Sequence, residues 1–181
     1  SWHLLTPTQR QIIQSAKQKI GYWVWETDTL PDAWRHDLHS VDRIWAPSTY
    51  CAEVFRASVD VPVDVVPHPV CVPDQTVGVD RNALLSRLGV DPTRRVILYV
   101  FDGASYLIRK NPEALIRAFA ASGLEQNGWT LLLKVKHLND RPEAGKALMG
   151  LASATPGTVL VDISLSADEI AQLFTAVDVY A

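Results

Sequence analysis

The feature that most constrains this chain is a repeated alternation: short apolar runs begin near residues 96, 130, 158 and 177, and each gap holds a segment of helical character. That spacing belongs to βαβ units, which feed strands into a parallel sheet through right-handed crossovers. Val96–Phe101 is apolar throughout, as a strand covered on both faces must be. Thr130–Lys134 and Thr158–Ile163 repeat the pattern. Ahead of the first of these strands, Leu84, Leu85 and Leu88 form a helical stripe closed by Gly89, and after it Leu115 and Phe119 share a face beyond Asn111-Pro112. A further helix is expected over 142–152, and Ser166 to Glu169 is a capping box ahead of Ile170, Leu173, Phe174 and Val177. The fold class is therefore α/β.

The first seventy residues alternate in the same way. Thr6-Pro-Thr-Gln9 opens a helix to about Ala16, with Thr6 as cap and Pro7 where a missing N–H is harmless. Ile20–Trp25 is expected as a strand. Arg43–Ala46 is another, stopped by Pro47, with Ser48 capping a helix to about Ala57. Val63–Val66 is a third, closed by Pro67-His68-Pro69. Three prolines between Pro67 and Pro73, then the polar stretch 74–80, place a domain boundary that divides the chain into 1–70 and 71–181.

Composition narrows the function classes. With 48% hydrophobic and 20% charged residues the chain can bury a core, and disorder and collagen are excluded. The longest apolar runs fall far below the roughly 18 residues of a membrane span, and no signal segment opens the chain, so a cytoplasmic protein is expected. A net charge of -3 with dispersed Lys and Arg gives no footprint for nucleic acid. Cys51 and Cys71 fit no ligand or disulfide framework and read as small buried apolar residues. His36 and His39, three apart, lack a third metal ligand, so no metal is expected. Ser1 stands where a starting Met would, and Val177–Ala181 stops as an apolar run, so a piece of a longer protein is expected.

In an open parallel sheet, ligands sit at the carboxyl ends of the strands. The loop after Val96–Phe101 offers Gly103 for close backbone approach, the Ser105 hydroxyl, then Arg109 and Lys110 just before a helix start. Unpaired N–H groups and adjacent cations suit a phosphate; the plain alternative is a solvated basic pair. Lys134, read as the end of the next strand, either reaches the same rim or snorkels from the strand end. In the first half Glu26, Ser48 and His68 follow successive strands, and each has a plain reading as a cap or a solvated group. Neither a GxGxxG fingerprint nor a P-loop is present, which removes the dinucleotide dehydrogenase and P-loop ATPase classes.

Taken together, Asp42-Arg-Ile-Trp-Ala-Pro-Ser48, Val65-Val-Pro-His-Pro-Val70, Phe101-Asp-Gly-Ala-Ser105 with Arg109-Lys-Asn-Pro112, and Leu131-Leu-Leu-Lys134 resemble the glycosyl transferase group 1 family, from Gly21 to the end of the chain. The resemblance implies two Rossmann-like domains of the GT-B type, both incomplete here. It implies a retaining, hexosyltransferase-type activity that moves a sugar from a nucleotide diphosphate sugar (GDP- or UDP-linked) to an acceptor hydroxyl, without a cofactor or a metal. A glycan or lipid-linked acceptor in cell-surface polysaccharide or glycoconjugate synthesis follows from the same likeness, as does a place in the cytoplasm or at the inner face of the membrane, reached peripherally through segments outside this chain.

By the same resemblance, Lys110 takes the position of the family's diphosphate lysine with Arg109 beside it. Gly103, Ser105 and Lys134 are donor-side candidates, and Ser164 and Leu165 match where members meet the nucleotide base. Glu26, Ser48 and His68 fall on the acceptor side of the cleft. Two departures stand out. Many members have an arginine where this chain has Gly103 or Ala104, and the chain stops before the family's Glu-x7-Glu element, so the piece alone is expected to be inactive. A nucleotide-sugar epimerase of the same shape, or a non-catalytic domain that has lost donor binding, are the alternatives.

Overall fold

The computed structural model describes residues 6–38, 40–70 and 80–181. It divides into two compact units, Ser1–Val72 and Pro73–Ala181. The expected boundary region, Cys71 and His39 lie largely or wholly outside the described residues.

In the first unit, α1 (Pro7–Ser15), β1 (Ile20–Tyr22), α2 (Asp32–Leu38), β2 (Arg43–Ala46), α3 (Thr49–Arg56) and β3 (Val63–Val65) follow one another. The expected caps form: Thr6 and Gln9 exchange the two bonds of a capping box, and Ser48 accepts from the Cys51 N–H. The three strands pair in parallel in the order β1-β2-β3. One face, with Ile44, Ala46 and Val63, packs on Phe55, Ala52 and Leu38. Cys51 is buried there, as expected. The other face holds Ile20, Tyr22 and Trp45, each more than a third exposed, beside an Arg43–Asp64 ion pair. β1 is shorter than the sequence suggested, because past Tyr22 the chain turns to pack its indoles: Trp25 donates to the Thr29 carbonyl at 2.9 Å and tilts against Trp34. Next to β1 lies a cavity of about 520 Å³, lined by Ile12, Ile13, Gly21, Trp23, Trp34 and Leu38 among others.

The second unit runs α4 (Arg81–Arg87), β4 (Arg95–Asp102), α5 (Leu107–Lys110), α6 (Pro112–Ser122), β5 (Trp129–Lys136), α7 (Pro142–Ala154), β6 (Thr158–Asp162), α8 (Ala167–Ala176) and β7 (Val179–Tyr180). All four strands are parallel, in the order β6-β5-β4-β7. This sheet is covered on both sides, as its apolar strands require. Val96, Leu98 and Leu132 face Leu84, Leu85 and Leu173 of α4 and α8. Phe101, Leu131, Leu133 and Val135 face Ile116, Phe119 and Leu148 of α6 and α7. Arg81 ties the first of these layers together, donating to the carbonyls of Ala176, Pro92 and Arg94 and meeting Asp178, whose carboxylate in turn accepts the Val96 N–H.

From β4 the chain adds β5 and β6 on one side, then returns across the sheet to place β7 on the other side of β4. The strand order therefore reverses between β4 and β7, and in open α/β sheets ligands bind outside the carboxyl ends at such a reversal. Among the described residues no helix is long and apolar enough to cross a membrane. Leu132 is wholly buried at the centre of this sheet. Its replacement by Ala should cost about 2–5 kcal/mol, to be read from urea unfolding of the purified chain.

Candidate functional site

The loop that leaves β4 holds most of the candidates. Asp102 ends the strand, and its Oδ1 accepts the Ala104 N–H at 3.0 Å, closing a tight turn. Gly103 is buried, and its N–H donates to the Lys136 carbonyl at 2.8 Å. A Cβ at this position would stand 2.8 Å from Leu138 Cα and 2.9 Å from Leu138 N. The close approach anticipated for Gly103 is thus made to the chain's own backbone after β5. Ser105 Oγ accepts from Arg109 Nη2 at 3.3 Å, and Arg141 of the next strand's turn reaches the Ala104 carbonyl at 3.4 Å and lies over the Tyr106 ring.

Arg109 and Lys110 form the last turn of the four-residue α5 instead of standing free before α6. Asn111 is both the C-cap of α5 and the N-cap of α6, in the left-handed conformation at φ 48°. Its side chain accepts the Ala114 N–H at 3.4 Å, while Pro112 removes a second donor and Glu113 brings a negative charge. The start of α6 is therefore less open to an anion than a bare helix terminus, and the cations carry more of the weight. Lys110 is half-buried. Its carbonyl accepts the Tyr99 hydroxyl at 2.6 Å. Burial, then the neighbouring Tyr180, pushes the Tyr99 phenol above its ordinary value of 10.0, so this donor persists through the neutral range. No described residue forms an ion pair with the Lys110 ammonium.

Lys134 stands apart from that loop. β5 runs two residues further than its apolar core suggested, so Lys134 lies inside the strand, opposite Val100 and Val161, and is only 4% exposed. It points to the α4/α8 side, whereas Tyr99, which holds Lys110, faces the α6/α7 side. Burial first, and then Lys136, lowers its pKa from 10.5, against the opposing pull of Asp102 and Asp162. Lys134 is thus a residue of the strand with a buried side chain, two positions short of the strand end. After β6, Ser164 is exposed, while Leu165 packs against the α4/α8 core.

In the first unit the three candidates follow the carboxyl ends of parallel strands, as read from the sequence. Glu26 is exposed four residues past β1. Ser48 is engaged as the α3 cap, and His68 Nδ1 lies 2.7 Å from the Tyr22 hydroxyl, bridging the ends of β1 and β3. No group of three His, Cys, Asp or Glu side chains gathers as a metal site among the described residues.

The pairing of Asp102 with His137 has no counterpart in the sequence reading. His137 Nδ1 lies 3.1 Å from Asp102 Oδ1, and Lys136 Nζ lies 3.4 Å from Oδ2. The Ala104 N–H, more than any other group, holds the Asp102 carboxyl below its ordinary 3.8, with His137 and Lys136 acting in the same direction and loss of water opposing. These partners lie 34 and 35 residues away, and only strand register brings them together.

Two incomplete Rossmann-like parallel-sheet units in one chain define an α/β fold of the GT-B type. Among solved structures, α,α-trehalose 6-phosphate synthase from Burkholderia multivorans is similar over 82% of this chain, with a TM-score of 0.58 and 12% identity. The chain spans 40% of that protein. The Glycosylation Associate Protein complex from Streptococcus agalactiae aligns over 92% of the chain and 34% of its own, with a TM-score of 0.49 and 13% identity. The likeness is one of fold. No family model and no curated protein matches the chain.

Two outcomes test this geometry. Gly103→Ala should destabilise the second unit by about 1–3 kcal/mol, since the added methyl meets backbone that cannot step aside; urea unfolding measures it. The Asp102 carboxyl titrates lower when folded than when unfolded, so its contribution is complete above the ordinary carboxylate range and fades as pH falls through the folded value. Asp102→Asn should therefore flatten the acid side of the stability–pH curve, as pH falls below the ordinary carboxylate range, in melting scans.

Proposed function

We propose that this chain is part of a retaining glycosyltransferase of the hexosyltransferase type, which moves a sugar from a GDP- or UDP-linked donor to a hydroxyl of a glycan or lipid-linked acceptor. One observation carries the reading: the β4 loop with Arg109 and Lys110 stands where the strand order reverses, between β4 and β7, and the Lys110 ammonium has no ion-pair partner among the described residues. A cation held at that rim suits a diphosphate.

In this reading the second domain, 71–181, binds the donor and the first, 1–70, faces the acceptor. As the bond between the anomeric carbon and the phosphate oxygen breaks, its electron pair stays on the β-phosphate. The acceptor oxygen forms the new bond to the anomeric carbon and gives up its proton to the departing diphosphate. Negative charge thus grows on the leaving group, and a fixed ammonium there stabilises the transition state more than the ground state. Lys110 is the principal catalytic group and Arg109 its companion. The turn held by Gly103 and Ser105 presents them, Lys134 adds positive potential from within the sheet, and the segment at Ser164 and Leu165 meets the base. Glu26, Ser48 and His68 line the acceptor side. The reaction needs no metal or cofactor, and its setting is the cytoplasm or the inner membrane face, in surface polysaccharide or glycoconjugate assembly.

Calorimetry of the complete protein with GDP, UDP and ADP is the direct test. Binding of one diphosphate, lost in Lys110→Ala, is expected, and no binding of any of the three removes the reading. With donor and acceptor present, Lys110→Ala should cost about 2–4 kcal/mol of transition-state stabilisation, mostly in kcat. An unchanged rate would remove Lys110 from the mechanism.

A further inference from the structure

The three-stranded sheet of the first unit ends at β1 on one side and at β3 on the other. In a parallel ladder, alternate residues turn their N–H and C=O groups toward the neighbouring strand. The Lys19 carbonyl accepts the Asp42 N–H at 2.8 Å and the Trp23 N–H donates to the Trp45 carbonyl at 3.1 Å, so Lys19, Gly21 and Trp23 face β2. Ile20 and Tyr22 therefore present their backbone groups to the open edge, where no described residue bonds to them. The β3 edge is treated differently. There the Val63 carbonyl accepts from Arg56 Nη2 at 2.7 Å, a charged cover of the kind that blunts sheet edges.

The open edge of β1 borders the cavity of about 520 Å³, a size at which proteins hold ligands. Ile12, Ile13 and Ala16 of α1 supply one wall, and Trp34 and Leu38 another. Trp23 is laid against the strand itself: a Cβ on Gly21 would stand 2.8 Å from the indole, so glycine is what leaves it room. α1 has no buried residue and Ile12 is 64% exposed, so the helix faces the gap with its apolar side uncovered. A hydrocarbon in this space would cover the apolar walls but would cut the Ile20 and Tyr22 backbone groups off from water, which is costly. An extended backbone meets both demands, because its own N–H and C=O groups recur at the spacing of a strand.

We propose that the gap between α1 and β1 is a docking groove for an extended peptide from outside residues 1–181, which joins the sheet as a further strand. Its backbone bonds to Ile20 and Tyr22, and its apolar side chains, at every second position, enter the space walled by Ile12, Ile13, Trp34 and Leu38. With α1 as a wall the groove takes a single strand; the β1 edge of a second copy is barred, since that copy carries its own α1 in the same place. The partner is thus a segment that alternates β-branched apolar and polar residues. The groove belongs to the first unit and stands whether or not Lys110 binds a diphosphate.

The probe is a capped hexapeptide of alternating valine and threonine, added to the whole chain while NMR follows hydrogen exchange of the backbone amides. At saturation, exchange at Ile20 and Tyr22 should slow about tenfold or more, with Val63 and Val65 on the covered edge unchanged. The same peptide N-methylated throughout keeps its side chains, loses every donor and should not bind. Ile20→Pro removes the edge N–H without touching the bonds of Gly21 and Trp23 to β2, and should weaken peptide binding about tenfold or more, proline being tolerated on edge strands. If Ile20→Pro fails to fold, the N-methylated peptide alone decides. Unchanged exchange at Ile20 and Tyr22, or equal binding of the N-methylated peptide, would overturn the groove. Diphosphate calorimetry does not sense these amides, so either result leaves the donor reading where it stands.

Discussion

A parallel strand covered on both faces must bury nearly everything it carries, and β5 obeys this from Thr130 to Val135. The second unit is arranged around that requirement. Two helices lie on each side of the sheet, the strands on either flank present Val96, Leu98 and Val161 or Ile97 and Leu160 to those helices, and polar groups are driven to the ends. Lys134 is the exception that the constraint makes conspicuous. Its side chain is buried on the α4 and α8 side, near enough to the strand ends to feel Asp102 and Asp162.

Much of this architecture was legible because its signals are local. Thr6, Ser48 and Ser166 cap the helices that their spacing announces, and Pro47 and Pro67 follow the strands they were expected to close. The apolar cores of β4, β5 and β6 fall where Val, Ile and Leu cluster. What the sequence concealed depends on register. Gly103 was legible as a close approach, but its partner, the Leu138 backbone, was not. Lys134 looked like a strand end because the two residues after it in β5 include a second lysine, which gives no apolar signal. The Asp102–His137 pair leaves no trace in spacing at all, since it forms only when β4 and β5 align.

The two sheets meet the same physical demand differently. The four-stranded sheet is closed over on both sides, whereas the three-stranded one leaves Ile20, Tyr22 and Trp45 more than a third exposed among the described residues. Aromatic residues near β1 resolve part of the difference: Trp23 and Trp34 turn back onto the core and line the cavity beside the strand, while Tyr22 stays on the outer face and meets His68 beyond β3. The shorter β1 follows from this packing of indoles, which ends strand geometry before the β-branched and aromatic run itself ends.

Asn111 serves two helices at once, and that economy has a mechanical result. With a single left-handed residue as the joint, the bearing of the cationic turn relative to α6 is set by one pair of torsions and steadied by the Tyr99 phenol on the preceding carbonyl. Arg109 and Lys110 are therefore aimed as one piece, like a lever on a fixed pivot. Evolution could redirect both charges by altering that pivot or its strut, with no change to either basic residue.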